Sequence, residues 1–291
     1  MEESTEVLTF AVPFLDNYSR MAQALANSIR YFHPNGEILA MTTAPAGPQV
    51  REVSRLHYDD LVEYEDLGFA HAGYTPVVWT RLHLWNLPTT NTVVCLDADI
   101  QMYRPLPDSV VREYRSSRKV FGSILDGMPL LEQQFCSGYE AIGRWNSAPA
   151  ACVAYLILQP NPSVGGDLIE LTMAHEGFVV CPEQAILNLY AAQNGGWLDQ
   201  SAATVTQSWS PEVLSDPPLT PFVHFGSPRP DFFGPSPLRQ GDVEYQVALR
   251  SFERRTGKPF PVDRIGREFQ TRLDDSLNEE FIYRGGRRDD G

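Results

Sequence analysis

The 291-residue sequence is short of several things that would decide its class. Lysine occurs only at Lys119 and Lys258, so arginine carries nearly all the positive charge. Cations as a whole are in deficit, with 23 Lys and Arg against 37 Asp and Glu, a net charge of −14. A nucleic-acid face needs a surplus of cations, which argues against nucleic acid as the main partner. An anionic nucleotide would need local help from a metal or from clustered arginines. No apolar run reaches the roughly 18 residues that span a bilayer, so no membrane partner is expected. The opening Met1-Glu2-Glu3-Ser4-Thr5-Glu6 lacks the basic and apolar regions of a signal peptide. Cysteine is limited to Cys95, Cys136, Cys152 and Cys181, with no C-x-x-C pair, which argues against a zinc site. From these absences a reduced, cytoplasmic protein is expected.

What is present is a core-forming composition, 43% hydrophobic, and one stretch that organises the rest, Thr92-Val93-Val94-Cys95-Leu96-Asp97-Ala98-Asp99-Ile100. Its uncharged, β-branched start reads as a strand buried on both faces. Side chains two apart on a strand point the same way, so Asp97 and Asp99 are expected to aim two carboxylates at one point. A hard divalent cation relieves their repulsion and can bind a diphosphate on its other side. The plain alternative is a pair of turn or capping acids beside an arginine.

The chain around it reads as α/β. A strand over 7–12, a loop holding Asp16 and Tyr18, a helix over 19–32 capped by Ser19 and a strand over 37–41 form a βαβ start. Loops at the carboxyl edge of such a sheet bind ligands, and Tyr18 is placed to stack on a base. A loop and helix over 45–58, a strand over 61–64 and a helix over 76–87 lead into the central strand. A short helix capped by Asp108, a strand over 119–125, an irregular insertion over 130–150 and a strand over 151–158 follow. Helices over 168–174 and 183–191, a strand over 222–225 and a helix over 240–255 complete the reading. The division expected is 1–238 for one catalytic unit and 239–291 for a helical extension with a disordered tail.

Several segments, in order, resemble the family 8 glycosyltransferases of glycogenin type, over roughly residues 7–235. Thr80-Arg81-Leu82-His83-Leu84-Trp85-Asn86-Leu87 is similar to that family's Thr-Lys-Leu-His-x-Trp-x-Leu helix. Val94-Cys95-Leu96-Asp97-Ala98-Asp99 is similar to its metal strand, Leu158-Gln159-Pro160-Asn161 to a later strand end, and Glu183-Gln184-Ala185-Ile186-Leu187-Asn188 to its D-Q-x-x-L-N helix. His224-Phe225-Gly226-Ser227-Pro228-Arg229-Pro230 is similar to its H-x-x-G-x-x-K-P segment, one residue shorter.

The resemblance implies a GT-A type, Rossmann-like nucleotide-sugar-binding sheet and a retaining transfer from a nucleoside diphosphate sugar, with uridine as the expected base. It implies Asp97, Asp99 and His224 as ligands of manganese, with magnesium as the alternative ion. It implies Ala11, Val12 and Tyr18 at the nucleoside, Ala98 beside the donor, and Arg81 and Arg229 at the diphosphate and donor sugar. Asp126, Glu183 and Gln184 are implied at the donor sugar and its anomeric carbon. Three positions depart from the family: its Asn-x-Gly is Cys152-Val153-Ala154 here, its aspartate before glutamine is Glu183, and its last lysine is Arg229. The acceptor is unidentified; the missing membrane anchor points to a small metabolite or natural-product intermediate.

Two other readings compete. A metal-dependent nucleotidyltransferase would want a glycine- and lysine-rich phosphate loop, which Ala11-Val12-Pro13-Phe14-Leu15 does not supply. A non-catalytic sugar-nucleotide binder or scaffold on a degenerate fold is favoured by the lost Asn-x-Gly and opposed by the intact Asp97, Asp99 and His224.

Overall fold

Six strands run parallel and one runs against them in the sheet that carries the molecule. In this computed structural model the described residues are 7–15, 18–69, 76–102, 104–201, 203–207 and 220–224. The expected C-terminal division, the helix over 240–255, Asp16 and Arg229 lie outside them. The elements are β1 (Leu8–Pro13), α1 (Ser19–Phe32), β2 (Glu37–Thr43), α2 (Pro48–His57), β3 (Asp60–Tyr64), a 3-10 helix (Pro76–Asn86), β4 (Thr92–Leu96) and β5 (Ile100–Met102). They continue with α3 (Asp108–Ser117), β6 (Gly122–Leu130), β7 (Pro149–Leu158), α4 (Pro162–His175), α5 (Pro182–Gln193), β8 (Leu198–Asp199), β9 (Val205–Gln207) and β10 (Phe222–His224).

The seven-stranded sheet has the order β3-β2-β1-β4-β7-β6-β8. β2 and β4 flank β1 in parallel, while β7 runs antiparallel to both β4 and β6. Alternation along the central strands divides the core in two. Phe10, Val12, Val94 and Leu96 face one cluster, where Met21, Leu25 and Ile29 of α1 and Val110 of α3 cover them. Ala11, Val93 and Cys95 face the other, under Trp79, Leu82 and Trp85 of the 3-10 helix and Ile186 and Leu189 of α5. The result is a three-layer, Rossmann-like α/β fold. No helix among the described residues is long and apolar enough to cross a membrane.

Differences from expectation are local. The helix over 76–87 winds as a 3-10 helix, and Thr80 Oγ1 donates to the Val77 carbonyl three residues back at 2.7 Å, a bond that suits the tighter pitch. Ser19 is the first helical residue of α1 and Tyr18 occupies the cap position without a side-chain cap bond. Asp108 likewise lies inside α3, whose cap is Pro107. The strand expected over 119–125 is β6, shifted onward, with its register on β7 broken between Leu125 and Leu130. The insertion over 130–150 contains two 3-10 turns, Leu131–Gln134 and Glu140–Trp145.

Candidate metal and donor site

β4 is buried along its whole length and hydrogen-bonded on both sides. The Asp97 amide extends the pairing by one bond to the Ala154 carbonyl, 2.9 Å. The chain then turns, and the Ile100 amide donates back to the Asp97 carbonyl at 3.0 Å. Asp97, Ala98 and Asp99 thus sit in a turn at the carboxyl end of β4. The expected mechanism of convergence, alternation on a strand, is replaced by closure of this turn.

After the turn, β5 leaves the large sheet and joins a three-stranded sheet of order β5-β10-β9. β10 runs antiparallel to β5, and its register sets His224 opposite Ile100, the residue after Asp99. Backbone pairing therefore delivers an imidazole from far down the chain to the acidic turn. His224 Nε2 lies 3.3 Å from Asp99 Oδ1. One ligand atom each from Asp97, Asp99 and His224 falls within 4.8 Å of the others, a group that could hold a metal ion. Two carboxylates and an imidazole suit a borderline divalent ion. Burial pushes the Asp99 carboxyl up, but the charge and hydrogen bond of His224 outweigh it and hold the carboxyl below its usual range.

Arg81 comes from the 3-10 helix and is 7% exposed. Its Nη2 donates to Asp97 Oδ1 and its Nη1 to Glu183 Oε1, 2.5 Å away in the first turn of α5. The fork is spent on two protein carboxylates, which makes Arg81 the tie between the acidic turn and α5. Its Nε, shielded from solvent, has no hydrogen-bond partner among the described residues. Glu183 is buried, and desolvation pushes its carboxyl above the usual range against the pull of Arg81 and two backbone amides.

Gln184 Oε1 accepts from the Val153 amide at 3.2 Å. A backbone N–H can only donate, so this bond assigns the side-chain orientation and turns the Nε2 donors away from Val153. One turn further along α5, Asn188 accepts from the Ala151 amide and donates to the Ala151 carbonyl, both at 2.8 Å, and donates to Gln134 Oε1 at 3.0 Å. These two side chains complete the β7 backbone where β4 has already turned away. The sequence assigns no role to Asn188 or Gln134; its one signal is the four-residue spacing of Gln184 and Asn188, which puts both on one helix face.

Asp126 is half-buried in β6 where the register on β7 breaks, and its Oδ1 accepts the Met128 amide at 2.7 Å. It lies near enough to Cys152 and Cys181 to matter electrostatically. Burial first, and the Asp126 charge with it, push Cys152 up to about 12 and Cys181 up to about 11. Cys152-Val153-Ala154 therefore stands in β7 between Asp126, Arg81 and Gln184. Ala11 and Val12 are fully buried, their side chains in opposite halves of the core. Ala98 is also buried, whereas Tyr18 is 41% exposed at the start of α1.

No family model and no curated protein sequence matches the chain. Solved structures do. The galactosyltransferase LgtC, crystallised with donor and acceptor sugar analogues, is 16% identical with a TM-score of 0.60, over 90% of this chain and 99% of that one. The bifunctional glycosyltransferase WbbM is 11% identical with a TM-score of 0.60, over 95% of this chain and 52% of that one. The glycosyltransferase GlyE of Streptococcus pneumoniae TIGR4 is 15% identical with a TM-score of 0.52, over 95% and 64%. The shared property is the fold, a GT-A-like α/β sheet.

Proposed function

We propose that the chain is a metal-dependent, retaining glycosyltransferase of family 8 type, drawing on a nucleoside diphosphate sugar with uridine as its base. The observation that carries this is the convergence of Asp97, Asp99 and His224 at the carboxyl end of β4, tied through Arg81 to Glu183. Asp97, Asp99 and His224 would hold a divalent ion, manganese first and magnesium second, which would supply positive charge to offset the departing diphosphate. The expected division, a catalytic unit over 1–238 and an extension over 239–291, belongs to the same proposal.

The chain's own groups have separable tasks. Arg81 holds Asp97 and Glu183 in place, and its Nε finds no partner among the described residues. Gln184 offers its Nε2 donors to the sugar, and Asp126 accepts from sugar hydroxyls with the oxygen not used by Met128. Tyr18 and the backbone of Ala11, Val12 and Ala98 frame the nucleoside, with Arg229 at the diphosphate. Gln184 Oε1 is occupied by Val153 and Glu183 is ion-paired, which supports front-face substitution. In that step the acceptor oxygen bonds to the anomeric carbon as the carbon–phosphate oxygen bond breaks. The acceptor proton passes to the leaving phosphate oxygen, on the same face, so configuration is retained.

The non-catalytic alternative is not favoured. Its main support was the loss of Asn-x-Gly, yet Val153 anchors Gln184 through its main chain, a contact that does not depend on the side chain there. The deciding experiment is a screen of nucleoside diphosphate sugars with manganese, scored by release of nucleoside diphosphate. Release with at least one donor, stopped by chelator, supports the reading; binding without turnover of any donor returns the chain to the scaffold class.

A further inference from the structure

The irregular insertion between β6 and β7 has no task in the donor site as described, yet its one buried polar side chain leads to it. Gln134 closes the 3-10 turn Leu131–Gln134 and is 0% exposed. From there the chain lies antiparallel to the segment that enters α5. Phe135 bridges Val179, and the Cys136 amide donates to the Phe178 carbonyl at 2.7 Å. The Gln134 carbonyl accepts from two amides, Val180 at 2.8 Å and Cys181 at 3.3 Å. Cys181 holds the cap position of α5 and makes no side-chain cap bond. A helix start is ordinarily fixed by such a cap. Here the chain entering the first turn, which carries Glu183 and Gln184, is fixed from outside, by a main-chain oxygen of the insertion.

The Gln134 side chain fixes the next turn. Its Oε1 accepts from Asn188 Nδ2 at 3.0 Å. Asn188 gives its other contacts to β7, the Ala151 amide and carbonyl, both at 2.8 Å. Ala151 and Val153 are two apart on that strand, so their amides point to the same side. The Val153 amide is the one that holds Gln184 Oε1, at 3.2 Å. Gln134, Asn188, β7 and Gln184 therefore form one continuous set of hydrogen bonds.

Stability alone would not select glutamine here. The Gln134 Nε2 is shielded from solvent and has no hydrogen-bond partner among the described residues. A buried donor left unpaired is destabilising, and a methionine of similar shape would remove it. The same change would free one Asn188 N–H, so the two effects oppose each other in stability. They do not oppose each other in the placement of α5, where only the bond to Asn188 counts.

The geometry points to Gln134 as a positioning residue for the transfer: through Asn188 and the start of α5 it sets Gln184 against the donor sugar. This rests on the transferase reading, in which Gln184 meets that sugar. It makes the insertion part of the frame of the site.

The test compares the full wild-type chain with Gln134→Met and Gln134→Glu. Hydrolysis by water of uridine diphosphate glucose, galactose, N-acetylglucosamine and N-acetylgalactosamine, with manganese, reports the chemistry. Side-chain amide NMR of glutamine-labelled protein reports Gln184. Gln134→Met should lower kcat about tenfold by misplacing Gln184. Donor KM should stay unchanged, because Asp97, Asp99 and His224 are untouched, and the Gln184 amide signals should shift. Gln134→Glu, which keeps an acceptor for Asn188, should retain more of the rate. Added to Asn188→Ala, Gln134→Met should lower the rate no further, since both break the same bond. Either an unchanged kcat or unmoved Gln184 signals in Gln134→Met overturns the proposal. So does a rate loss that multiplies in full with that of Asn188→Ala. If the wild type hydrolyses none of the four donors, the transferase reading and the positioning role fall together. Gln184 signals still displaced by Gln134→Met would then leave Gln134 as a structural clamp on α5.

Discussion

The two halves of the large sheet meet at β4 and β7 and hold their site residues by different means. On the parallel side, main-chain geometry does the placing. β4 ends, a three-residue turn presents Asp97 and Asp99, and strand pairing between β5 and β10 brings His224 alongside. On the antiparallel side, side chains do it. Gln184 and Asn188 take up the β7 backbone groups that no neighbouring strand satisfies, and through them α5 is fixed beside the site. Arg81 joins the halves, with one carboxylate on each. A site built by strand register tolerates loss of a single side chain without moving; a site built by side-chain bonds to backbone does not.

The largest effect expected is on the parallel side. Asp99→Ala should lower transfer by about a thousandfold, the scale for removing a main electrostatic contact to a developing charge, while the melting temperature changes little. A drop in stability as severe as the loss in rate would break the contrast. Next is Arg81→Met at the junction. It leaves Glu183 buried beside Asp97 with no cation between them, and should cost about 3–5 kcal/mol in denaturant unfolding. Arg81→Lys should recover part of this, because one ammonium replaces the fork.

On the antiparallel side, Asn188→Ala should cost about 2–3 kcal/mol by leaving the amide and carbonyl of Ala151 unpaired. In thermal melting this is roughly 4–12 °C, and Gln184 should lose its setting with it, so transfer falls even though Asn188 touches no substrate. The smallest effect lies at the far end of the parallel half. Burial raises Asp59, but Arg30 and the Ile38 amide outweigh it and hold the carboxyl below its usual range. Its stabilisation is present above the unfolded carboxyl value, about 3.9, and is lost as pH falls through the folded value. Asp59 is 45% exposed, so Asp59→Asn should remove no more than about 1 kcal/mol at neutral pH and flatten the acid limb of the stability curve.

The same contrast explains what could be read from the sequence. β4 was legible because an uncharged β-branched run ending in two acids has few other uses, and α1 because its apolar spacing is regular over 19–32. The turn at Asp97–Asp99 was misread as strand because a period of two and a closed turn both bring residues i and i+2 together. His224 was reached only through resemblance, since the β5–β10 pairing that places it spans more than a hundred residues and leaves no local mark. The network of Asn188, Gln134 and Ala151 was missed for a related reason. Its bonds run from side chain to backbone, and a backbone partner has no identity in the sequence.

On the proposed reading, Asp97, Asp99 and His224 form one divalent-ion site for a diphosphate. Manganese titration followed by electron paramagnetic resonance, with uridine diphosphate present, tests it most directly. One ion should bind per wild-type chain, and that binding should be lost in both Asp99→Ala and His224→Ala. Unchanged manganese binding in those two folded variants would contradict it.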